Sequence, residues 1–156
     1  MSRHLEELRS APALTIHQPW ADLIIEGRKS IELRSWTTSY RGAVWIHAGQ
    51  KNDVAGEIYN VDRKCGFRGG IIGFAWVEAM VPLTPDRWEQ WLDQHLATGP
   101  FVPGLFGWLL SNPCRLIEPL PIRGKLKLFP LPTDTREVLL QRVLNSGRGE
   151  VLHSTD

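Results

Sequence analysis

Cysteine is nearly absent from this 156-residue chain: Cys65 and Cys114 are the only two, too few and too far apart for a disulfide framework or a zinc knuckle. Reduced thiols are expected, with no metal and no cofactor. Long hydrophobic runs are missing too. The longest, such as Leu23 to Ile25 and Val138 to Leu140, are a handful of residues, against the ~20 that span a bilayer. No membrane partner is expected. Met1 to Ser10 carries Arg3, His4, Glu6, Glu7 and Arg9 where a secretory signal would be apolar, so a cytoplasmic protein is expected. Charge of one sign is also lacking: 18 Lys and Arg against 17 Asp and Glu leave a net +1, which removes the argument for a globally basic nucleic-acid binder. Repeats and low-complexity stretches do not occur. What is present is 42% hydrophobic residues, enough at this length for one domain with a sizeable core. A monomer is expected.

The charge is unevenly placed. Between Arg28 and Arg68, eight basic residues (Arg28, Lys29, Arg34, Arg41, Lys51, Arg63, Lys64, Arg68) stand against four acidic ones (Glu32, Asp53, Glu57, Asp62), a local +4. Between Glu78 and Thr98, four acids stand against Arg87, a local −3. Folding that keeps these groups apart gives one positive face, to which phosphates are drawn.

Periodicity orders the chain. Ala13 to His17 reads as a strand entering a helix at Pro19, with Trp20, Leu23 and Ile24 at helical spacing and Gly27 as its left-handed stop. Ser30 to Trp36 alternates, putting Glu32, Arg34 and Trp36 on one strand face. Ala43 to Ala48 is a second strand of this kind, Asp53 to Lys64 a helix, and Gly70 to Val81 a central strand. Thr84-Pro85 opens a helix that ends at Gly99-Pro100. Phe106 to Leu110 and Cys114 to Ile117 read as two strands of a hairpin about Ser111-Asn112-Pro113, Gly124 to Phe129 alternates again, and Thr133 to Asn145 is a last helix. Strands separated by short helices of unequal length exclude a regular βαβ series. The expected fold is α+β: a mixed or mostly antiparallel sheet of five or six strands curled into a small barrel, with helices on its rim. Residues 1–12 read as an N-terminal extension, 13–147 as the domain and 148–156 as a tail.

The most informative residues are His17-Gln18-Pro19-Trp20, the strand Lys29-x-x-Glu32-x-Arg34-Ser35-Trp36, and Arg41-Gly42 before Trp45-Ile46-His47. With Gly70 to Glu78 and Pro121 to Lys125, they resemble in order and spacing the ASCH domain, the activating-signal-cointegrator homology domain of the PUA-like superfamily. Within that family the likeness is greatest to the cointegrator branch, and it covers roughly Ala13 to Leu131. It implies a PUA-like barrel and a nucleic-acid-binding module. For some small members it implies an amidohydrolase on a modified nucleoside, acetylated cytidine, using a Lys, a Thr three residues later and a Glu on a central strand. Here Lys29 and Glu78 stand at two of those positions and Glu32 replaces the Thr. Ribonuclease activity is a further implication of the resemblance.

The residues themselves suit a cleft for single-stranded RNA or another single-stranded nucleic acid. His17, Gln18, Lys29, Arg34, Trp36 and Arg41 are the candidate binding residues, offering cations for phosphates and indole faces for bases. If the protein is an enzyme, Lys29, Glu32 and Glu78 are its candidate catalytic groups. A carboxylate three residues after Lys29 holds the ammonium charged and makes it a poor base. Each residue also has a structural role open to it. Glu32 and Arg34 can form an ordinary salt bridge, and Trp20, Trp45 and Trp76 fit a core. His47 fits a structural position, and Glu78, sharing a strand face with Ile72, Phe74, Trp76 and Met80, should be partnered or protonated there, either paired with a nearby Arg or Lys or facing Lys29 across a cleft. A third possibility is a protein-interaction adaptor that presents Trp88 and Trp91 on the acidic helix.

Overall fold

The computed structural model describes residues 3–59 and 66–145. The elements run α1 (Arg3–Ser10), β1 (Ala13–Gln18), α2 (Trp20–Ile25), β2 (Ile31–Arg34), β3 (Gly42–Asn52), a 3-10 helix (Val54–Tyr59), β4 (Gly70–Pro82), α3 (Pro85–Gln90), α4 (Leu92–His95), β5 (Phe106–Pro121), β6 (Leu128–Phe129) and α5 (Thr133–Asn145). They build a six-stranded sheet of order β2-β5-β4-β3-β1-β6. Its β1–β3 pair is parallel and its other neighbours are antiparallel.

The α+β mixture matches the expectation, but the barrel does not close. β6 contributes two residues, and Lys127 just before it has φ 57°, so the alternating Gly124 to Phe129 segment supplies no ladder toward β2. Side chains span the gap instead. Arg34 Nη2 on β2 donates to the Thr15 carbonyl on β1 at 2.8 Å, and Lys127 Nζ sits 5.5 Å from the centre of the Trp36 ring. The two free edges of the sheet therefore face each other across a seam.

Alternation along β3 explains why the sheet is covered on both sides. Ala43 and Trp45 pack with Leu5 and Leu8 of α1 and with Leu139, Leu140 and Val143 of α5. Val44, Ile46 and Ala48 pack with Leu14 and Ile16 of β1, Ile24 and Ile25 of α2, and Trp108. Residues 1–12, expected as an extension, thus include a helix whose Leu5 and Leu8 are buried and whose Leu8 carbonyl accepts the Trp45 indole N–H at 3.1 Å.

Local signals behave as their chemistry requires. Gly27 takes φ 84° after α2, and the Thr84 side chain accepts the Arg87 N–H at 3.1 Å to cap α3. The Gln18–Pro19 bond is cis, and α2 begins at Trp20. The expected hairpin at Ser111-Asn112-Pro113 is absent, because β5 runs unbroken through it. The pairing moves from Phe74–Cys114 to Trp76–Ser111, so one extra β5 residue is accommodated as a bulge, with Asn112 at φ 49°. The helix expected over 53–64 is a 3-10 helix from Val54 to Tyr59; its remainder, with Cys65 and the 148–156 tail, lies outside the described residues. Among the described residues, no helix is long and apolar enough to cross a membrane.

Candidate functional site

The seam holds a cavity of about 610 Å³, within the usual range for small-ligand sites. β1 supplies Thr15 and His17, β2 and its flanks supply Lys29, Glu32, Arg34 and Trp36, and the start of α2 supplies Trp20. The facing wall is Trp88, His95 and the loop through Thr98 and Gly99, with Asp53 at one end. Lys29, Arg34 and Trp36 therefore line one cavity, together with Glu32.

At its base lies a charged triplet. Glu32 accepts from Arg34 Nε at 3.0 Å and Nη2 at 2.9 Å, and its other oxygen lies 3.7 Å from Lys29 Nζ. Lys29 is 3% exposed, donates to the His95 carbonyl at 2.5 Å, and lies 4.8 Å from the centre of the Trp20 ring. Burial pushes this ammonium below its ordinary pKa, while the Glu32 carboxylate pulls it back up. Glu32 is thus a structural counter-ion for two cations. Arg34 Nη1 keeps its N–H groups without a partner among the described residues.

Aromatic faces border these charges. Trp36 packs edge-on against the buried Trp108 at 4.8 Å, and the Trp108 indole donates to the Trp36 carbonyl at 3.3 Å. Trp20, read from the sequence as core, is half-buried at the cavity wall, where its indole donates to Asp53 at 2.8 Å. The wall built by His95, Thr98 and Gly99 had no sequence signal, because it is brought in by long-range packing of α4 against β2.

Several expected residues sit elsewhere. Gln18 is buried outside the cavity: its amide donates to the Phe67 carbonyl at 2.9 Å and its oxygen accepts the Asp22 N–H at 3.0 Å, which fixes the β1–α2 junction. Arg41 and Glu78 line a separate depression with Glu7, Tyr40 and Trp76, away from Lys29. Glu78 was expected on an apolar face, but it is exposed and accepts from Ser111 Oγ at 2.5 Å. The register moves from Val77–Leu110 to Ala79–Leu109, so Glu78 is an extra residue in β4 and the alternation breaks there. The Lys29, Glu32 and Glu78 constellation is therefore not assembled on one cavity. Trp88, a candidate adaptor surface, is buried, its ring centre 4.5 Å from that of His95. The locally basic stretch is not a single face either, since Lys29 and Arg34 enter the cavity with Glu32 while Arg41 does not.

His47 and His95 brace the site. His47 Nε2 bonds the Ile122 carbonyl at 2.8 Å and Nδ1 meets Thr15 Oγ1 at 3.2 Å. His95 Nε2 bonds the Trp88 carbonyl at 2.9 Å and its Nδ1 accepts the Ala97 N–H at 3.0 Å, an arrangement that requires the neutral ring. Burial lowers both pKa values; for His95 the Trp88 carbonyl opposes this, Lys29 adds to it and Glu89 opposes it. Below about pH 6.5 the unfolded chain therefore binds protons that the native state refuses, so stability rises with pH in that window and is lost on acidification. Urea midpoints are expected to fall between about pH 6.5 and 5.5. An unchanged midpoint would contradict the assignment.

Comparison with known proteins adds a family model described as the ASCH domain, which matches residues 14–121. Activating signal cointegrator 1 of human is 30% identical over 137 residues, covering 80% of this chain and 23% of its own length. The mouse protein of that name is 28% identical over 135 residues with the same coverage. The chain thus spans less than a quarter of those relatives. A crystal structure of an ASCH protein from Zymomonas mobilis superposes with a TM-score of 0.62 at 16% identity, covering 85% of this chain and 95% of that one. A variant of the same protein gives 0.61. At such identity the likeness is one of fold.

Proposed function

For a chain that belongs to the ASCH domain family, we propose a module that binds single-stranded nucleic acid, RNA first, by seating one base in the seam cavity. The observation that carries this reading is the meeting, on one cavity, of half-buried indoles with a guanidinium whose Nη1 has no partner among the described residues. A base has flat faces and a polar edge. Trp36 and Trp20 offer surfaces to the faces, Arg34 Nη1 donates to the edge, and the exposed His17 stands at the mouth. The Lys29–Glu32 pair acts from below by holding Arg34 in place. The family is PUA-like and associated with RNA binding, and the relatives carry the name of a cointegrator.

The test is fluorescence anisotropy with a labelled oligouridylate of about ten nucleotides, inside the ~4–16 range of single-strand sites. Trp36→Ala is expected to weaken binding by about 1–3 kcal/mol, the worth of one stacked base. Arg34→Ala is expected to cost a similar amount, as loss of a charged hydrogen bond does, roughly 1.5–3 kcal/mol. Arg41→Ala, in the other depression, is expected to leave affinity unchanged. Equal affinity of all three variants and wild type would overturn the reading.

A further inference from the structure

The cavity carries little charge to attract a polyanion. Its lining cations, Lys29 and Arg34, are matched by the lining carboxylates Glu32 and Asp53. A base can be held there, but the phosphates that flank it need cations elsewhere. The segment 122–127 has them. Arg123, Lys125 and Lys127 are exposed at alternate positions, and none forms an ion pair with a described carboxylate.

This segment is fastened beside the cavity. His47 holds the Ile122 carbonyl at 2.8 Å, and Thr15 Oγ1 reaches the Lys125 carbonyl at 3.4 Å. Gly124 is pressed so closely against both that a Cβ there would lie 2.5 Å from Thr15 Oγ1 and 2.7 Å from His47 Cε1. Lys127 lies over Trp36, the cavity's own wall, and Leu126 between the lysines is 92% exposed. The inner side of the segment is thus committed to β1 and β3, and its three cations are exposed, Lys127 beside Trp36 and Arg123 and Lys125 beyond it. A row of cations beside a cavity with aromatic walls is the arrangement by which single-strand sites track a backbone while a base stacks.

We propose that segment 122–127 is a phosphate-binding rim of the seam cavity, so that the ligand is a single-stranded polynucleotide leaving the cavity along Lys127, Lys125 and Arg123, rather than a free nucleoside. This rests on the nucleic-acid reading above and adds a backbone path to it.

The experiment measures affinity for the labelled oligouridylate of about ten nucleotides as salt is raised from about 50 to 200 mM. The double variant Arg123→Ala/Lys125→Ala leaves the Lys127–Trp36 contact in place. With about 0.7 counterions released per single-strand phosphate contact, its slope of log affinity against log salt is expected to be flatter than wild type by about 1.4. Wild type then loses roughly five- to tenfold more affinity than the variant across that range. Arg123→Lys/Lys125→Arg is expected to keep the wild-type slope, and uridine, which has no phosphate, to bind wild type and the double variant alike. A double variant with the wild-type slope, while Trp36→Ala still loses binding, would overturn the rim and leave the cavity standing. A flattened slope with Trp36→Ala and Arg34→Ala binding as wild type would support the rim and overturn the cavity. Absence of oligouridylate binding, or displacement of the oligonucleotide by polyglutamate as readily as by unlabelled RNA, would overturn the rim.

Discussion

Alanine at Glu32 is expected to destabilise the fold by about 3–5 kcal/mol, the cost of removing one partner from a buried ion pair. The carboxylate serves Lys29 at 3.7 Å and Arg34 at 2.9 Å, and Lys29 is 3% exposed, so the variant leaves a desolvated ammonium against the His95 carbonyl and the Trp20 indole, with the more distant Asp53 as its remaining carboxylate. The loss resides in that stranded charge rather than in any large intrinsic strength of the pair. Lys29→Met added to Glu32→Ala is therefore expected to recover part of the stability, since an apolar side chain needs no counter-ion there. Urea denaturation of the two single variants and the double variant checks this. Additive costs, or a Glu32→Ala penalty below about 1 kcal/mol as for an exposed pair, would show that water already screens the triplet.

Trp108→Ala is expected to reach the same size by another route, about 3–5 kcal/mol for a large aromatic removed from a packed core. Trp108 is fully buried on β5, directly opposite Glu32 of β2, and supports Trp36 both by its edge and by the N–H donated to the Trp36 carbonyl. Its removal leaves a cavity under the binding wall. Single-strand affinity is expected to fall with stability, approaching that of Trp36→Ala. Trp108→Phe keeps an aromatic ring but not the indole N–H, and is expected to lose less of both. Full affinity in a folded Trp108→Ala protein would mean that Trp36 does not need this support.

Sequence periodicity located much of the site because β2 is regular over the residues that matter. Alternation from Ile31 to Arg34 set Glu32 and Arg34 on one face, and the Pro19 and Gly27 signals bounded the helix that carries Trp20. What periodicity missed lies where strands depart from it. Glu78 is displaced by an extra residue in β4, and Ser111 to Pro113 is absorbed as a bulge in one long β5 rather than turned as a hairpin. Arg41 follows β2 closely in sequence, yet it lines the depression shared by Glu7, Trp76 and Glu78 rather than the seam cavity. The wall from His95 to Gly99 and the anchoring of Gly124 by Thr15 and His47 depend on contacts between distant segments. No local pattern encodes them. α1 escaped notice because two leucines three apart in a charged decapeptide make a short apolar stripe that only α5 and β3 turn into a buried helix.

The claim that a base enters the seam cavity is tested most directly by the indole N–H resonances of the seven tryptophans, followed by NMR as single-stranded oligouridylate is added. Trp36 and Trp20 line the cavity, whereas Trp45 and Trp76 pack on the α1–α5 side of the sheet. The Trp36 and Trp20 signals are expected to move in a saturable manner while those of Trp45 and Trp76 stay in place. Movement of Trp76, which borders the Arg41 and Glu78 depression, with Trp36 unchanged would place the ligand on the opposite face and contradict that claim.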